Sequence, residues 1–202
     1  METLKQENLR FLFSNPKRSK HMNDKRSREE IGITEIKVNP FTQLSESWML
    51  LTAGDFEKDE FNTMTVAWGS FGTMWFKPFV MVVVRPHRYT CEFMEKYDTF
   101  TLSGFPSEYH TALEYCGAHS GRECDKISEA GITTQKSANI AAPAFKEAEI
   151  VFECRKNYFG DFETQNFLDP KIESYYPKKD YHKIYFGEVI AIYGTEKYRT
   201  GK

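Results

Sequence analysis

A β-barrel or α+β domain, mainly β with short helices set between its strands, is the fold class the sequence predicts. Three observations lead there. Strand-like segments recur along the chain, at residues 47–54, 62–68, 79–84, 99–105, 148–159 and 183–194. Helical signals between them are few and short. The links from strand to strand are uneven in length, which disfavours the regular alternation of a parallel α/β sheet.

The elements follow in chain order. Residues 14–30, "SNPKRSKHMNDKRSREE", are almost wholly polar, and a segment with so little to bury reads as a tail or linker. An N-terminal extension is therefore set at 1–34, flexible in part, with the folded domain at 35–202 and Met22 available as an internal start. "GITEIKVNPF" and "SWMLLTAG" have strand composition, and "GDFEKDEFN" supplies a polar turn. Residues 62–68 alternate like a strand with one covered face, whereas "FVMVVV" is apolar on both. A short helix capped by Thr90 follows, then the strand "TFTLSGF". Ser107 is a good N-cap for a helix whose Tyr109, Ala112, Leu113 and Cys116 share one face and which Gly117 ends. A third helix is expected around Asp125 to Ala130, before Gly131. "AEIVFECRKNYF" and "KIYFGEVIAIYG" complete the strands, and no repeat of solenoid period is evident.

Composition excludes several functions. At 202 residues and 40% hydrophobic content, one domain with one sizeable core is expected. A formal charge of -2, from 27 basic and 29 acidic residues, provides no broad basic field for nucleic acid or an anionic membrane. Any anion must be held locally. The cysteines, Cys91, Cys116, Cys124 and Cys154, form no CxxC pair or zinc-ligand spacing, so reduced thiols in a cytoplasm are the expectation. The longest apolar run, Phe79 to Val84, is too short to span a bilayer, and "LRFLF" near the start lacks the length of a secretory segment.

Three stretches carry chemistry. Where the apolar strand stops, Arg85, Arg88, Tyr89 and Thr90 stand together. If Thr90 caps a helix there, the free amides of its first turn and its positive dipole end favour an anion, and the arginines add charge-assisted hydrogen bonds suited to a phosphate. The alternative is two solvated arginines and a plain cap. "NTMTVAWGSFG" combines small polar residues, glycines and Trp68, which suits close approach of a flat polar ring; it also reads as an ordinary strand with Trp68 in the core and a glycine turn. "HSGRECDK" gathers His119, Ser120, Arg122, Asp125 and Lys126, with Asp125 placed to orient either cation through a salt bridge. The alternative there is a solvated helix face.

The runs "NTMTVAWGSFGTMWFKP", "VRPHRYTCEFME", "DTFTLSGF", "CGAHSGRECDKISEAGIT" and "DYHKIYFGEVIAIY" together resemble the flavin reductase-like family of FMN-binding split-barrel proteins, which includes flavoredoxin, over residues 35–193. The resemblance implies a six-stranded antiparallel Greek-key barrel with added helices, and a homodimer holding FMN near the subunit interface. Asn62, Thr63, Met64 and Thr65 would line the isoalloxazine ring, with Trp68 nearby. Gly69 and Ser70 would border the ribityl chain, while Arg85, Arg88, Tyr89 and Thr90 fall at the phosphate and the loop from His119 to Lys126, with Ser120 and Arg122, closes over the site. It further implies a flavin reductase or oxidoreductase that moves hydride from NADH or NADPH, bound transiently without a GxGxxG fold, to free flavin or another acceptor. Its alternative is a flavoredoxin-like electron carrier for a redox partner protein.

Overall fold

The computed structural model describes residues 27–201. Met22 and most of the expected extension lie outside them. The strands are β1 (Glu29–Glu30), β2 (Met49–Asp55), β3 (Glu60–Val66), β4 (Gly69–Met74), β5 (Lys77–Val84), β6 (Thr99–Gly104), β7 (Thr134–Gln135), β8 (Ala144–Phe145), β9 (Ile150–Asp161) and β10 (Lys183–Gly194). The helices are α1 (Pro40–Ser45), α2 (Tyr89–Lys96), α3 (His110–Ala118) and α4 (Lys126–Glu129).

One antiparallel sheet runs β3-β2-β6-β9-β10-β5-β4, with β1 added to β10 and β7-β8 forming a small separate pair. Its two ends, β3 and β4, are consecutive in the chain and separated only by Ala67 and Trp68. Taken as one strand bent at that corner, they reduce the path to six strands, the number the resemblance implies. The chain thus bridges the gap between the sheet's edges without hydrogen-bonding across it, which is the split in the barrel. Met49, Leu51, Phe100, Leu102, Phe152 and Tyr185 fill the interior. A second cluster, with Leu113, Cys116 and Phe145, lies under α3 and carries it against β3.

Several boundaries differ from those expected. The polar run to Glu30 does not end as a tail: Glu29 and Glu30 pair with Gly194 and Tyr193, Ile31 is buried in the core, and Arg28 donates to the Phe145 carbonyl at 2.7 Å. Strand composition at 32–41 yields turns and the start of α1, because Pro40 cannot donate to a ladder and Asn39 caps the helix. The glycines at 69 and 72 lie in β4 rather than a turn. Gly69 is needed there because a Cβ would meet the Met81 carbonyl at 2.5 Å. Residues 62–64 are all buried, since α2 and α3 cover the outer face of β3 and erase the alternation. α3 runs through Gly117 to Ala118, and Ser107 opens a 3-10 turn with no side-chain cap. No described helix is long and apolar enough to cross a membrane.

Candidate functional site

The turn after β5 closes with the Arg88 amide donating to the Arg85 carbonyl at 3.0 Å, and α2 starts at once. Arg88, not Thr90, is its N-cap residue, and its side chain makes no capping bond. The amides of Tyr89 and Thr90 find no acceptor among the described residues, so the amino end of α2 is open for an anion. Thr90 lies inside the first turn, where its hydroxyl accepts from Asn62 Nδ2 at 2.7 Å.

Arg88 reaches from this turn to the carbonyl of Gly117 at the end of α3. It separates two small cavities that both include Met64. One, about 180 Å³, is lined by His87, Arg88, Tyr89, Thr90, His119, Ser120, Glu123 and Lys126. The other, about 210 Å³, is lined by Met64 to Trp68, Val83, Arg85, Arg88 and His182. Larger spaces of about 540, 460 and 320 Å³ lie between α1 and the amino end of α3, beside α4, and beside Arg28 and β7.

The cations around these cavities differ in what holds them. Arg85 is committed: it donates to Asp180 Oδ2 and to the Tyr175 carbonyl, both at 2.8 Å, and lies 5.1 Å from the Tyr176 ring centre. That guanidinium keeps the Asp180 carboxyl below its usual range. Arg88 has no carboxylate partner among the described residues, and burial lowers its pKa. Lys126 is 4% exposed and donates to the Cys116 and His119 carbonyls at 3.2 Å each, closing the carboxyl end of α3. Burial, with Arg88 nearby, brings its pKa down to about 8.

The loop from His119 to Lys126 is neither a decorated surface helix nor a set of free cations. Ser120 Oγ accepts from the Arg122 amide at 3.2 Å, and Arg122 crosses to α2, pairing with Glu92 and donating to the His87 carbonyl at 3.2 Å. Its guanidinium lies 4.6 Å from the Tyr89 ring centre. Asp125 caps α4 by accepting from the Ser128 amide and pairs with neither cation, which corrects the expected salt bridge. A Cβ at Gly121 would lie 2.2 Å from Asn62 Oδ1, so a larger residue there would displace the Asn62 side chain.

The β3 residues expected along a ring do not all reach a cavity. Met64, Thr65 and Trp68 line the larger cavity, with Thr65 anchored to the Leu113 carbonyl. Thr63 does not: it is fully buried, with its hydroxyl between Thr52 and the Leu51 carbonyl. Asn62 supports the site through Thr90. Gly69 and Ser70 pair with Val82 and Met81 on β4 and line neither cavity. Trp68 is 46% exposed rather than in the core, edge-on to Tyr175 at 5.7 Å and tilted to His182 at 5.2 Å.

His182 was not singled out from the sequence. It sits just before β10 and within the cavity wall, its Nδ1 2.9 Å from the Tyr176 hydroxyl. Burial, and the charge of Arg85, push its pKa down to about 4. The signal that could have found it is its place in "DYHKIYFGEV", immediately ahead of a strand that pairs with the one leading to Arg85.

A model of the flavin reductase like domain matches residues 41–200. An uncharacterised protein of Pyrococcus abyssi is 28% identical over 146 residues, which cover 71% of this chain and 73% of that one. The structure is similar to an FMN-binding domain of a flavin reductases-like enzyme from Shewanella baltica, with a TM-score of 0.61 at 16% identity over 83% of this chain and 77% of that one. It is also similar to flavoredoxin from Methanosarcina acetivorans, with a TM-score of 0.57 at 25% identity, over 83% and 76%. With its sheet split between β3 and β4 and the match spanning nearly all of it, the chain belongs to the flavin reductase like domain family of FMN-binding split barrels.

Proposed function

We propose that this chain binds FMN and acts as an oxidoreductase, taking hydride from NADH or NADPH and passing reducing equivalents to free flavin or another acceptor. The observation that carries the reading is Arg88: a half-buried cation with no carboxylate partner among the described residues, beside two helix amides that lack acceptors. Such a donor set fits a phosphate dianion. The second cavity, walled by Met64 to Trp68 and a neutral imidazole, fits the edge of a flat ring. FMN, when bound, supplies the redox centre. The chain's own part is positional. Arg88 and the α2 amides hold the phosphate end, the β3 corner orients the ring, and the exposed Trp68 side leaves room for a reduced nicotinamide to stack. Anaerobic stopped-flow mixing of the FMN-loaded protein with NADH and with NADPH should bleach the flavin rapidly with at least one of them.

A second reading, an FMN-bearing electron carrier, draws support from the likeness to a flavoredoxin and from the open Trp68 and Tyr175 surface, which a protein partner could cover. In that case neither nicotinamide bleaches the flavin.

We further infer a homodimer, in a reducing cytoplasm to which four unpaired cysteines are suited. The C-terminal aromatics mostly complete the chain's own packing, with Tyr176 and Tyr185 buried. The surface for a second copy lies instead at the β4–β5 tip, where Phe76 is 104% exposed, and at Trp75, Tyr158 and Phe159. A monomer mass from light scattering of the FMN-loaded protein at micromolar concentration would reject the dimer.

A further inference from the structure

We propose that Tyr176 is a positioning residue that holds His182 as its Nε2–H tautomer, so that the cavity beside Trp68 presents a neutral hydrogen-bond donor rather than an acceptor or a third cation. Tyr176 is 3% exposed, and its hydroxyl has one partner among the described residues, His182 Nδ1 at 2.9 Å. A buried hydroxyl must place its proton somewhere. If Nδ1 carried a hydrogen, the hydroxyl would accept it and its own proton would be left without an acceptor. Donation to an unprotonated Nδ1 satisfies both groups, which favours the Nε2–H form by roughly tenfold to a hundredfold.

The tyrosine is itself fixed. Its ring packs against Tyr181 at 4.9 Å and Phe167 at 6.3 Å, and the Arg85 guanidinium lies 5.1 Å from its centre. The charged and titratable groups around the imidazole are Arg85, Arg88, His87 and Asp180, and burial together with Arg85 opposes protonation. His182 Nε2 has no partner among the described residues and is not among the enclosed unpaired atoms, so it is reachable from the cavity. The group it suits is an acceptor atom, a carbonyl oxygen or ring nitrogen, of a planar heteroaromatic ligand. This last step rests on the flavin reading above; the tautomer does not.

Nitrogen-15 NMR of the full chain labelled at histidine, recorded first without flavin, tests the tautomer directly. The expected spectrum at neutral pH assigns His182 an unprotonated Nδ1 and a protonated Nε2, and Tyr176→Phe should convert it to a mixture. A parent spectrum with protonated Nδ1, or with both nitrogens protonated, overturns the proposal whether or not the variant folds. FMN is then added, with binding followed by fluorescence quenching. A shifted Nε2 signal on binding supports the donor role, and an unmoved one in the bound protein overturns it. Failure to bind FMN at all would sink the flavin reading and the donor role together, while the tautomer stands on the first spectrum.

Discussion

On the α2 side of Arg88 the cavity wall carries Arg88, Lys126 and the open amides of α2, with one carboxylate, Glu123, at its edge; on the Trp68 side it is a strand, an indole and an imidazole kept neutral. The arginines that open the two sides are three residues apart, yet Arg85 is neutralised by Asp180 and Arg88 is not neutralised by any described residue. The difference separates two tasks. Arg85 anchors the 170–182 excursion across the Trp68 side through Asp180 and the Tyr175 carbonyl, so its charge is spent within the fold. Arg88 is bound only to a carbonyl, which leaves its positive charge uncompensated. A cation in that state favours an anionic ligand, and the neutral side beside it favours stacking.

The largest effect should come from removing Lys126, which supports the charged side from beneath. Lys126→Met leaves the Cys116 and His119 carbonyls without their donor, at a cost of about 2–4 kcal/mol in urea unfolding. The loss should also depend on pH. The folded-state pKa of about 8 lies below the ordinary 10.5, so between those values the unfolded chain binds more protons than the native one. Stability contributed by this group is therefore fully present above 10.5 and is lost as pH falls through 8. The neutral amine still has two N–H groups for its two carbonyls. Parent and Lys126→Met should diverge further as pH rises from 8 to 10.5; a gap that stays constant would mean the amine is not desolvated.

Next in size is the contrast between the arginines. Arg88→Ala should weaken FMN by roughly tenfold to a hundredfold, about 1.5–3 kcal/mol, and leave riboflavin nearly unchanged, because only FMN carries the phosphate. Arg85→Ala should act on both flavins alike by loosening the 170–182 segment. Titrations monitored by flavin fluorescence compare the four cases, and equal losses from Arg88→Ala for both ligands would break the assignment of the phosphate to the α2 side.

Much of this architecture was legible in the chain because it is local. "KIYFGEVIAIYG" coincides with β10 residue for residue, and "TFTLSGF" runs one residue past β6, since a run of β-branched and aromatic residues bounded by turns has few other ways to bury itself. The Arg85-to-Thr90 cluster was legible for the same reason. Its internal division was not. Asp180 lies 95 residues from Arg85 and Asn62 lies 28 from Thr90, so whether an arginine is neutralised or a threonine caps its own helix is decided by chain that arrives from elsewhere. Lys126 reads as a surface cation until α3 ends above it. Gly69 reads as a turn until β5 comes within van der Waals distance.

A smaller effect tests the neutral side. Trp68 packs against Tyr175 and His182 and leaves nearly half its surface free, which suits a ring contact of about 0.5–1.5 kcal/mol. Trp68→Ala should weaken FMN and riboflavin by the same factor, about twofold to tenfold, in calorimetric titration. A loss confined to FMN would show that the indole senses the phosphate and that the two sides are not separate.

Arg122 offers the finest test, because it supports the charged side from outside and lines neither cavity itself. It ties the 119–126 loop to α2 through Glu92, the His87 carbonyl and the Tyr89 ring. Both Arg122 and Glu92 are well exposed, and an exposed ion pair contributes only about 0.2–1 kcal/mol, with a comparable amount from the guanidinium over the ring. Arg122→Ala should therefore weaken FMN by about twofold to fivefold, through a loop that is less well held over the α2 amides. Because the pair is exposed, part of that difference should fade as salt is raised. A double-mutant cycle with Glu92→Gln isolates the pair from the ring contact. Normal FMN affinity with slower reduction by NADH or NADPH would instead place Arg122 against the phosphates of the incoming donor. If the variant binds FMN and accepts hydride like the parent at every salt concentration, the tie between loop and helix contributes nothing to the site, and the charged side reduces to Arg88, Lys126 and the helix amides.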